Sequence, residues 1–203
     1  SCNAAEVSII FLAALVGWPV PLTPIQILWL NLLTDGAPAL ALGVEKGDPD
    51  IMNRPPRPPQ EPIINRLMLR GIAVQVVAIT AVVLTAFLLG LRWGDENLAR
   101  TMAFVTLSAS ELLRAYTARS ERYPLLKLGV FTNPYMQYAV VVSFVLMLSA
   151  VYLPFLQPVF DTVSLGLREW EVILPLLFVP AIAAEINKAF DTREDSRRRS
   201  AGE

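Results

Sequence analysis

The stretch from Pro24 to Gly43, PIQILWLNLLTDGAPALALG, is apolar over the roughly 20 residues a helix needs to cross a bilayer, yet it holds Asn31, Thr34 and Asp35 at its centre. A carboxylate at that depth costs about 2.5–3.5 kcal/mol even on the lenient insertion scale. The three polar residues stand at i, i+3 and i+4, so their oxygens share one helix face. Gly36 and Pro38 follow at once. Pro38 has no N–H and crowds the carbonyl of residue 34, so a kinked or unwound helix is expected at the polar cluster. Backbone carbonyls freed inside a membrane persist only beside a cavity or a ligand. The segment reads as a cation site built of hard oxygen donors, against the simpler alternative that Asp35 hydrogen-bonds a neighbouring helix.

The rest of the composition agrees with a membrane setting. Of the 203 residues, 54% are hydrophobic and 17% charged, and the mean hydropathy of +0.49 is too high for a soluble domain. The lone Cys2 excludes an internal disulfide and a thiolate-rich metal site, and the lack of histidine argues against zinc or copper transport and imidazole catalysis. No basic face interleaved with aromatics occurs outside the tail, so nucleic acid is not an expected partner. The chain opens inside an apolar segment without an initiator Met or a signal peptide, and is expected to be the C-terminal part of a longer protein.

Apolar runs predict an all-α integral membrane protein, a bundle of six transmembrane helices over residues 1–190. The spans fall at about 1–18, 24–43, 67–91, 98–116, 135–156 and 170–190, the last bent at Pro175 and Pro180. Gly17, Pro19 and Pro21 leave room for only a tight hairpin between the first two. Residues 44–66 form a Pro-rich loop, RPPRPPQEP from Arg54 to Pro62, read as a stiff connector without its own core. Residues 191–203 form a charged, mobile tail. Of the 17 basic residues, all but Arg92, Arg100 and Arg168 fall on one side of this arrangement. The positive-inside rule then makes the Pro-rich loop, the 117–134 loop and the C-terminus cytoplasmic.

Asp35 is joined by acids on two other spans. Asn3 and Glu6 stand three residues apart on the first, where a snorkelling glutamate is the alternative. Glu111 lies on the fourth and least apolar span, where Arg114 at i+3 offers a structural pair. Three separate unpaired carboxylates would cost roughly 8–10 kcal/mol, most of which disappears if they surround one or two cations. Oxygen-only donors favour calcium, with its roughly 6–8 flexible oxygen ligands, over magnesium; sodium and manganese stay open. Protons replacing the ion on Glu6 and Glu111 are expected, because desolvated carboxylates prefer the neutral form. Glu185 reads as a snorkelling or cap-region charge, and the four tryptophans as interfacial or packing residues.

NLLTDGAPALALG at Asn31–Gly43 and DPDIMNRPPRPPQEPII at Asp48–Ile64 closely resemble the sixth transmembrane helix and the following cytoplasmic loop of P-type cation-transporting ATPases of the calcium-pump group. SCNAAE resembles that family's fifth helix, and the likeness runs over the whole chain as helices five to ten. It implies that Asn3, Glu6, Asn31, Thr34, Asp35 and Glu111 are the side-chain ligands of Ca2+, and that Ca2+ is exported from the cytoplasm; the short outer loop at 92–97 and the preference for Arg over Lys point to a bacterial plasma membrane. It also implies that Mg2+ and ATP are handled by an N-terminal remainder carrying the fourth helix and the phosphorylation domain. The DKTG, TGE and PEGL-type motifs of that remainder are not in this chain, which is therefore not expected to hydrolyse ATP alone. Two rivals are an ion-coupled secondary transporter or channel, which calls for an inverted repeat that residues 1–92 and 93–190 do not display, and a non-catalytic membrane subunit.

Overall fold

The first turn that shapes the molecule is Gly17. Helix α1 (Cys2–Val16) ends there in the left-handed conformation at φ 75°, with the N–H of Trp18 returning to the Ala13 carbonyl at 2.9 Å. The chain then re-enters through a capping box: Thr23 Oγ1 accepts from the Gln26 N–H, the Gln26 side chain accepts from the Thr23 N–H, and Pro24 takes the first helical position. Helix α2 (Pro24–Leu30) passes into a π-helical segment, Asn31–Gly36, and then into α3 (Ala37–Gly43). The hydrogen-bond register thus changes at NLLTDG, just before Pro38.

This computed structural model describes residues 1–48, 50–53, 64, 66–120 and 123–200, apart from the side chains at 35, 66, 67 and 189–200. The proline run between residues 54 and 63, and 201–203 of the tail, lie outside the described residues. After a short 3₁₀ turn at Ile51–Asn53 come α4 (Arg66–Trp93), α5 (Glu96–Thr117), α6 (Leu125–Leu128), α7 (Pro134–Tyr152), α8 (Gln157–Phe160) and α9 (Leu167–Ser200). Asp95 caps α5 through the Leu98 N–H at 2.9 Å, and Asn133 caps α7 through the Met136 N–H at 3.1 Å. The described residues are helical or irregular and contain no strand.

Among the described residues three helical stretches are long and apolar enough to cross a membrane, Pro24–Gly43, Met68–Trp93 and Pro134–Tyr152, where the sequence suggested six spans. Helix α1 is apolar but has only 15 residues here, and α5 carries too many hydroxyls and charges to stand out by hydropathy. Helix α9 passes through Pro175 and Pro180 and continues as backbone to Ser200, beyond the expected start of a tail at 191. The sequence from Asp191 to Ser200 has no proline or glycine to break a helix.

Helix α5 is the centre of the bundle. It packs on α4 and α9 and also touches α3, the π-helical segment and α7. Every residue from Thr101 to Leu112 is buried, so the least apolar helix is the one kept furthest from lipid. Close approach is possible because α4 offers Gly90 at the crossing, where a Cβ would stand 2.5 Å from the Ala99 Cα. Ile9, Leu30, Ile79, Phe87, Phe104 and Met147 fill the space around it.

Long-range bonds gather at two ends. At one, Gln26 Nε2 donates to the Phe160 carbonyl at 2.8 Å, the Val163 N–H to Thr101 Oγ1 at 3.0 Å and Arg100 Nε to the Val20 carbonyl at 3.1 Å. At the other, Arg119 meets Glu45 through two bonds, Nε to Oε2 at 2.7 Å and Nη2 to Oε1 at 2.9 Å, and Lys188 Nζ donates to the Thr117 carbonyl at 2.7 Å.

Candidate cation site

The π-helical segment faces α5 and the start of α1 across a cavity of about 220 Å³ lined by Ser1, Cys2, Thr34, Pro38, Ala39, Leu42, Glu111, Arg114, Ala115 and Ala118. Thr34 and Glu111, expected as ligands from two different spans, therefore share one cavity. Glu111 is 3% exposed and Thr34 9%. Glu6, on α1, is 5% exposed. Both glutamates are thus held away from water by the packing of α1 and α5 against their neighbours.

The oxygens here are arranged to accept. Thr34 Oγ1 donates its proton to the Leu30 carbonyl at 2.9 Å, which leaves its lone pairs as the hydroxyl's remaining capacity. Asn31 Oδ1 is buried and has no hydrogen-bond partner among the described residues, and the same holds for the hydroxyls of Thr106, Ser108 and Ser110 on α5. Buried acceptors left in this way are rare, because each is expensive unless a ligand or water meets it. Of the oxygen-bearing side chains expected as ligands, Thr34 and Glu111 are the two that line the cavity.

Two expected ligands stand apart from this picture. Asn3 is exposed, on a part of the α1 surface that no described neighbour covers, although Glu6 one turn on is buried. The backbone of Asp35 belongs to the π-helical segment, while its side chain lies outside the described residues. Among the described residues no three of His, Cys, Asp and Glu gather as a metal cluster. Arg114 lines the same cavity as Glu111, and its Nη1 donates to Thr117 Oγ1 at 3.0 Å.

Several supporting residues carry no signal in the sequence reading. Ser143 Oγ, on α7, donates to the Leu33 carbonyl at 2.7 Å, inside the π-helical segment. Beyond α3, Glu45 accepts from Arg119 and from Asn133 Nδ2 at 2.8 Å, while Arg119 also binds the carbonyls of Gly129 and Val130 and Thr132 Oγ1. The Arg119 bonds hold the Glu45 carboxyl below its usual range despite partial burial. Glu185, expected near the end of its helix, lies inside α9, where its carboxylate accepts the Leu125 N–H of α6 at 3.1 Å and pairs with Lys188 at 3.0 Å.

The family described as cation transporting ATPase, C-terminus, matches residues 19–190. A calcium-transporting ATPase 1 of Bacillus cereus is 35% identical over 93% of this chain and 23% of its own length. A calcium-transporting ATPase of Bacillus subtilis is 37% identical over 88% of this chain and 20% of its own. The mouse calcium-transporting ATPase type 2C member 1 is 32% identical over 100% of this chain and 22% of its own. The chain thus spans about a fifth of the length of the curated relatives it matches. A family match that runs from Pro19 to Phe190, over the π-helical segment and the buried Glu111, makes this chain a member of the P-type cation-transporting ATPases, of which it is the C-terminal region.

Proposed function

We propose that this chain is the membrane part, six spans in all, of an ATP-driven pump that exports Ca2+ from the cytoplasm, with a bend in the second span at the ion. Asn3, Glu6, Asn31, Thr34, Asp35 and Glu111 are its side-chain ligands in this reading. The observation that carries it is the burial of Glu6 and Glu111 on separate helices, with Glu111 sharing a cavity with Thr34 of the π-helical segment. Buried carboxylate oxygens contributed by separate helices are donors of the kind a divalent cation can share. The names of the relatives, calcium-transporting ATPases from bacteria and mouse, favour Ca2+ as the cargo.

The remainder of the pump supplies ATP binding, Mg2+ and the phosphorylated aspartate. This chain's residues bind the ion from one side and release it to the other as the helices exchange between states of different affinity. On release, Glu6 and Glu111 take up protons, because a desolvated carboxylate without its cation is more stable neutral. The proton therefore travels opposite to the metal.

Calcium-dependent phosphorylation of the complete protein by ATP tests the reading. Glu6→Gln and Asp35→Asn are each expected to raise the half-saturating calcium at least about tenfold, the effect of losing one charged oxygen donor. Unchanged calcium dependence in both variants removes them from the site.

A further inference from the structure

A π-helix closes each turn with a bond from the N–H of residue i+5 to the carbonyl of residue i. In the Asn31–Gly36 segment the carbonyl of Leu33 therefore looks to residue 38 for its donor. Residue 38 is proline, which has none. Leu33 is 3% exposed, so water is not the substitute, and a buried carbonyl left unmet disfavours the conformation that strands it.

Helix α7 supplies the missing donor. Ser143, itself 2% exposed, donates Oγ–H to the Leu33 carbonyl at 2.7 Å, 110 residues away in the chain. This is an unusual use of a serine in an apolar helix. Six residues on, Ser149 does the ordinary thing and donates to the Val145 carbonyl of its own helix at 2.8 Å. A second contact lies on the far side of Pro38, where Asn133 Nδ2 at the start of α7 donates to the Ala41 carbonyl at 3.0 Å. Helix α7 thus grips the second span before and after the proline.

Resting on the cation-pump reading above, we propose that Ser143 is a positioning residue for the ion site. It holds the π register of Asn31–Gly36 by giving Leu33 the hydrogen bond that Pro38 withholds, and so fixes how Asn31 and Thr34 face α5. The proposal makes a specific claim of dependence between two residues: Ser143 matters only while residue 38 lacks an N–H.

The test is a double-variant cycle in the complete pump, read as half-saturating calcium for phosphorylation by ATP. Ser143→Ala is expected to raise that concentration about tenfold with the maximal phosphorylation level held within about twofold. In a Pro38→Ala background, where residue 38 regains its donor, the same serine change is expected to add less than about twofold. An equal effect in both backgrounds, or none in the native one, overturns the proposal. Ser143→Cys, close in shape and a weak donor, replaces Ser143→Ala if that variant does not assemble. Hydrogen exchange of the peptide 31–43 is followed in the same four proteins. It is expected to quicken in Ser143→Ala alone and to stay unchanged when that substitution is added to Pro38→Ala. Because exchange is read without calcium, its cycle tests Ser143 even if the native protein shows no calcium-dependent phosphorylation, the result that would sink the pump reading instead.

Discussion

Gly90 and Glu111 illustrate opposite kinds of residue in the same pair of helices. Gly90 has meaning only through its neighbour: any Cβ there meets the Ala99 backbone at 2.5 Å, so α4 and α5 have to part. Gly90→Val is expected to destabilise the protein by about 1–3 kcal/mol, as overpacking does. The equivalent change at Gly43, where nothing lies within 4 Å of a Cβ, should leave the melting temperature in detergent nearly unchanged. If both behave alike, the close crossing is wrong. Glu111 was readable in the sequence, because an acid in an apolar run is costly wherever it sits. Gly90 was not, since one glycine among leucines in LLGLRW carries no record of what approaches it. Ser143 was hidden for a related reason: a serine in an apolar helix normally bonds its own backbone, and only the location of Leu33 and Pro38 shows that it does something else.

Among the elements, the joint between α3, the loop after α5 and the start of α7 is the firmest polar connection. Arg119, with its side chain 1% exposed, donates twice to Glu45 and also ties Gly129, Val130 and Thr132, while Asn133 holds Glu45 and the Ala41 carbonyl together. The sequence gives each of these as an ordinary loop residue, because the partners are some 70 to 90 positions apart. The Glu45 carboxyl is held below its ordinary value of 4.5 mainly by the Arg119 hydrogen bonds. A lowered folded-state value means that the joint contributes its full stability above the unfolded value and loses it as pH falls through the folded one. Glu45→Gln is therefore expected to be less stable at neutral pH by about 1.5–3 kcal/mol, the worth of a charged hydrogen bond. The gap to the native protein should then close as the pH falls below 4.5. Melting midpoints in detergent, followed downward from neutral pH, check this; a gap that stays constant through the acid range assigns Glu45 no role as an anion.

At the scale of the whole molecule, the helical class was legible from composition and the central place of α5 was not. Hydropathy ranks α5 last among the spans, but a helix wrapped by α4, α9, α7 and α3 needs no lipid-facing surface, so burial and apolarity part company there. The same wrapping lets α5 carry Thr101, Thr106, Ser108, Ser110 and Glu111 through the interior. The two ends of the bundle also differ in the work done by their cations. Arg100 is tied to Glu96 and the Val20 carbonyl, and Arg168 lies 4.2 Å over the Trp93 ring, so two of the three basic residues at that end have structural partners. In the sequence the other fourteen basic residues belong to the opposite side, which the positive-inside rule predicts to be cytoplasmic. Exposed residues beyond the two ends of α5 test that assignment. In a cysteine-free form of the complete protein, Asn97→Cys is expected to react with a membrane-impermeant maleimide on intact cells. Leu126→Cys on α6, where the native side chain is 88% exposed, should react only after the cells are opened. Labelling of both from one side would mean that α5 does not cross the bilayer, and that its buried hydroxyls and Glu111 are sheltered by protein alone.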